Sequence, residues 1–64
     1  MENDKEQAER ELMHLNGRMA ELMDKISDLE AIDDPEPYQE SMLSELKIEE
    51  ANLARQIETV ESYL

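Results

Sequence analysis

Leu12 to Leu29 reads LMHLNGRMAELMDKISDL, and the apolar residues in this stretch decide the fold. Leu12, Leu15, Met19, Leu22, Ile26 and Leu29 are separated alternately by three and four residues. That spacing returns each time to one face of an α-helix and forms the seam of a heptad repeat. A β fold would draw on β-branched and aromatic side chains, which are scarce here: the chain has no Phe and no Trp. Ala8 extends the seam one step upstream. Asn3 followed three residues later by Glu6 reads as a capping box, so the first helix starts near Asp4 and runs to about Ala31.

Working downstream, Asp33-Asp34-Pro35-Glu36-Pro37 breaks the pattern. Two prolines in three residues are excluded from a helix interior but tolerated in a first turn. The expected arrangement has Asp34 as cap and Pro35 as the first residue of a second helix that runs to about Tyr63. Its seam is Leu43, Leu46, Leu53, Ile57, Val60 and Leu64, flanked by Met42 and Ala54, with Glu50 as the one charged seam position. Glu50 reads as a polar residue that fixes register or as one that reaches out to solvent. A connection of a few residues forces the helices to be antiparallel neighbours. The expected fold is all-α: an antiparallel two-helix hairpin of the coiled-coil type in a single domain, 1–64. Helix 1 covers about 4–31, the turn about 32–37 and helix 2 about 35–63.

A chain of 64 residues is marginal alone and needs disulfides, a metal or self-association. It has no Cys, which removes the first option and thiolate metal sites with it. Beside the helix 1 seam lie Met13, Asn16, Gly17, Ala20, Met23, Ser27 and Ala31, none of them charged. Arg18, Glu21, Asp24, Lys25 and Asp28 crowd the other arc. Helix 1 therefore has a face broad enough for two neighbours, and a homodimer forming a four-helix bundle is expected. The expected core and dimer residues are Leu12, Leu15, Met19, Leu22, Met23, Ile26 and Leu29 from helix 1. Helix 2 supplies Leu43, Leu46, Leu53, Ile57 and Val60. Gly17 marks either a close backbone approach at the second contact face or an ordinary weak spot.

Eighteen acids against six bases give a net charge of −12, which repels nucleic acid and anionic membrane. No apolar run is long enough to cross a bilayer, and the N-terminus has no signal-peptide pattern. A cytoplasmic protein is the expectation. From Ile26 to Leu46 there is no Lys or Arg, while Asp28, Glu30, Asp33, Asp34, Glu36, Glu40 and Glu45 all fall there. They would gather at the hairpin tip. Glu58 and Glu61 stand where the dipole of helix 2 prefers cations. Tyr38, Tyr63 and Ile48 lie off the helix 2 seam, and Tyr is favoured at interfaces.

The chain lacks a Gly-rich phosphate loop and a Cys nucleophile. Glu11 and His14 have the Glu-x-x-His spacing of di-iron bundles, but both fall outside the core-facing arc. No metal, no cofactor and no enzymatic activity are expected. The length and hairpin pattern resemble the small helical-hairpin phosphatases that act on sporulation response regulators. Their signature is Ser-Gln-Glu-Leu-Asp on the second helix. The nearest stretch here, Tyr38-Gln39-Glu40-Ser41, lacks the Leu-Asp that should follow, so membership is not inferred.

The expected function is a small acidic regulator or inhibitor that dimerises and docks on a host or cellular protein with a basic or apolar patch. Asp28, Asp33, Asp34, Glu36, Tyr38 and Ile48 are the expected partner-binding residues. One alternative is a DNA mimic that inhibits a nucleic-acid-binding protein, weakened by bases scattered at Arg10, Arg18, Lys25, Lys47 and Arg55. The other is a purely structural, self-assembling coiled-coil element.

Overall fold

A computed structural model describes residues 4–64. Two helices, α1 (Asp4–Glu30) and α2 (Pro37–Glu61), pack against each other as a hairpin, and there is no strand among the described residues. The rod measures 53 × 14 × 14 Å. The expected cap at Asn3 lies outside the described residues.

Burial follows the heptad. Let a denote the row Leu12, Met19, Ile26 and Leu43, Glu50, Ile57, and d the row Ala8, Leu15, Leu22, Leu29 and Gln39, Leu46, Leu53, Val60. Ala8, Leu15, Leu22, Leu53 and Val60, all in row d, form one buried cluster. Leu12, Met19, Leu46 and Ile57 pack against it and stay partly exposed. Ile26, one turn from the connection, is the only row a residue that is buried. The hairpin is therefore centred nearer row d, although Leu29, Gln39 and Leu46 of that row stay partly exposed. Two helices without a third layer leave much of both rows in contact with water. Leu64, expected on the seam, is exposed at the chain end. Met23, expected in the core or dimer set, is 55% exposed in the single chain.

Two ion pairs mark the flanks. Arg18 Nη2 donates to Glu49 Oε1 at 2.8 Å, and Lys47 Nζ lies 3.4 Å from Glu30 Oε2. Arg18 and Glu49 both occupy heptad position g, whereas Glu30 and Lys47 both occupy e, so the two bridges run along opposite sides of the seam. Each is exposed and contributes at most about 1 kcal/mol. Their value is in register.

The connection departs from expectation in one respect. α2 begins at Pro37, not Pro35, and its N-cap is Glu36 rather than Asp34. The ring of Pro37 pushes the preceding residue out of the helical region. Glu36 accordingly sits at φ −70°, ψ 156°. A helix starting at Pro35 would have required Glu36 to be helical. Gln39 completes a capping box, its Oε1 accepting a hydrogen bond of 2.8 Å from the Glu36 amide. At the end of α1 the Ala31 amide still bonds Ser27 O at 3.1 Å, and that of Ile32 turns to Leu29 O. α2 ends two residues before the expected Tyr63, with Ser62 as C-cap.

Candidate functional site

Five of the six expected partner-binding residues meet at one end of the rod. Asp28 is in the last turn of α1, Asp33, Asp34 and Glu36 are on the connection, and Tyr38 opens α2. All five are exposed. Short connections run over the surface because their backbone groups need water, and the two prolines hold this one in a fixed course. Acids at the start of α2 also complement its dipole.

Ile48 is not part of that end. It lies ten residues beyond Tyr38, about 15 Å along the helix at 1.5 Å per residue. It is 63% exposed and stands midway between the seam positions Leu46 and Glu50, two residues from each, and so on the outer side of α2. The six residues thus form a tip patch and one separate apolar point.

The structure also qualifies the acidity of the tip. Lys47 lies outside the base-free stretch in sequence, yet its ammonium reaches back to Glu30, at the end of α1. Sequence spacing hid this pair because its partners are brought together only by the antiparallel register. Neither helix has a basic residue in its last turn, so the ends of both stay locally acidic.

His14 and Glu11 stand at the rim of an open groove of about 540 Å³ on the flank marked by Arg18 and Glu49. Its floor is Leu15 and Leu53, and Asn52 and Gln56 complete it. Among the described residues no group of three His, Cys, Asp or Glu side chains is placed to hold a metal ion. At the open end of the hairpin a depression of about 300 Å³ lies over Ala8 and Val60, beside Tyr63, Asp4, Gln7 and Glu11. Small side chains at Ala8 and Val60 are the only sequence signal for it. No described helix is long and apolar enough to cross a membrane.

Neither a protein-family model, nor a curated protein, nor a solved structure matches the chain. The functional reading therefore rests on its own surface.

Proposed function

We propose that this chain is a small acidic protein-binding regulator or inhibitor that acts as a homodimer, the two hairpins forming a four-helix bundle. It has no catalytic role. Docking occurs through the hairpin tip on a basic patch of a partner protein, and blocks or modulates that partner. The observation that carries this reading is the presence of Asp28, Asp33, Asp34 and Glu36 together with exposed Tyr38 at one end of the rod. A concentrated negative field raises the encounter rate with a basic surface, and an exposed aromatic side chain at the same end supplies apolar contact once water is excluded.

The test is affinity capture from the source organism's cell lysate with the native chain and with Asp33→Lys/Asp34→Lys/Glu36→Lys in parallel. The expected result is a specific protein retained at low salt, lost at high salt and lost with the triple variant. Retention of the same protein by the variant, at unchanged salt tolerance, sinks tip docking. If DNA displaces the captured protein, the chain mimics nucleic acid. Recovery of the chain alone makes it a self-assembling structural element.

A further inference from the structure

We propose that the face carrying Leu12, Met19, Leu43 and Ile57, with Ala20 and Met23 beside them, is where a second copy of this chain packs. This rests on the homodimer proposed above and names its surface. The first observation is the asymmetry of burial. Ala8, Leu15, Leu22, Leu53 and Val60 of row d are buried within the hairpin, whereas of row a only Ile26 is, and Leu12, Met19, Leu43 and Ile57 are left partly exposed on one side of it. That side is continuous with uncharged Asn16, Ala20, Met23 and Ser27 of α1 and Ala54 of α2. The opposite side is closed to apolar packing by the Arg18–Glu49 bridge and its polar neighbours.

The second observation is the size of the core. Six hydrophobic side chains are buried among the described residues, and none of them is less than 2% exposed. A 64-residue chain without cysteine and with so small a core is marginal alone, and small folds of this kind are completed by oligomerisation.

The third is the layout of charge. The middle of the face carries two charged residues, Glu50, partly buried in row a, and Lys47 beside it. Acids stand at its ends, Glu9 and Glu61 towards the open end and Glu30 and Glu40 towards the tip, with Lys47 bridged to Glu30. A mostly apolar centre with a charged rim is the anatomy of a protein interface. A basic partner finds its complement at the tip, not here. A second copy presents the same apolar row, which a two-fold axis brings against its own counterpart.

Because each copy carries −12, the pairing opposes a like-charge repulsion that salt screens. Association of the copies strengthens with ionic strength, while docking on a basic partner weakens. The two surfaces are thus separated by the sign of their salt dependence.

The chain has no Cys, so single labels are clean. Sedimentation equilibrium of the full chain at micromolar concentration, at low and high salt, gives the oligomeric state. Spin labels on Ala20→Cys and, separately, Ile48→Cys give distances between copies. Both positions are near mid-helix, so the comparison holds whichever way the tips point. The expected result is a dimer favoured by salt, with Ala20 labels close and Ile48 labels far apart. Met23→Glu, on a side chain already exposed in the hairpin, should raise the dimer dissociation constant about 100-fold or more. A dimer with Ile48 labels closer than Ala20 labels overturns the surface and leaves self-association standing. A monomer at every salt concentration overturns both, whereas failure to capture a basic partner bears only on the tip.

Discussion

Gly17 is the single residue whose role the structure simplifies most. It lies in the middle of α1, and a Cβ built there meets nothing within 4 Å. Nothing in the hairpin approaches this backbone, so a close approach would have to come from a second copy, and within the single chain Gly17 carries only the conformational cost of a helical glycine. Gly17→Ala should stabilise the protein by about 0.5–1 kcal/mol, read as a higher denaturant midpoint with an unchanged m-value. A destabilised variant would mean that another chain approaches that backbone. Leu53 is the opposite case. At 4% exposure in the central cluster, it has little freedom to be replaced. Leu53→Ala should cost about 2–5 kcal/mol and, in a core this small, leave little cooperative thermal transition by circular dichroism. Ile57→Ala, in the half-exposed row, should cost visibly less in the hairpin itself.

At the scale of the element, the start of α2 provides a contrast between neighbouring positions. Pro37 forces Glu36 into extended backbone, and Gln39 then reaches back to satisfy the Glu36 amide. Asp34 has no such place in the helix. Gln39→Ala should therefore cost about 1 kcal/mol, while Asp34→Ala should be near neutral, both measured by chemical denaturation. Equal effects would return the cap to Asp34. Gln39 is also half-buried as the row d residue nearest the tip, so one side chain joins the cap to the seam. The far end of α2 lacks any compensating base in its last turn. Tertiary packing, not terminal charge, keeps that helix in place.

The whole molecule is governed by charge of one sign on a thin rod. Self-repulsion in a chain of −12 is relieved by counterions, and no large core is present to absorb it. Raising NaCl from about 20 mM to about 500 mM shortens the screening length from roughly 20 Å to about 4 Å. The melting temperature should rise over that range by several degrees, measured at fixed protein concentration. A fall would mean that ion pairs such as Arg18–Glu49 contribute more than repulsion takes away.

The alternation of threes and fours from Ala8 to Leu29, repeated from Leu43 to Leu64 with Glu50 at one position, was enough to determine two helices and their apolar seams, because helical periodicity is a local property of the chain. The Asp-Pro-Glu-Pro interruption likewise determined that the chain reverses there, since proline acts on its own backbone and that of its predecessor. Composition determined the excess of negative charge, and spacing placed much of it at the tip. What the sequence left open was relational. Rows a and d are both largely apolar in sequence, and only the packed pair shows that most of the buried side chains belong to d while most of a stays partly exposed. Lys47 became a neighbour of Glu30, and Ile48 was set apart from Asp33 and Tyr38, only once the antiparallel register existed. Which of two prolines began the helix was a competition between adjacent residues, decided when the backbone of Glu36 settled. Periodicity names the residues that must be covered; the geometry of two cylinders decides which of them two helices can cover, and one helix has only one partner here to bury against.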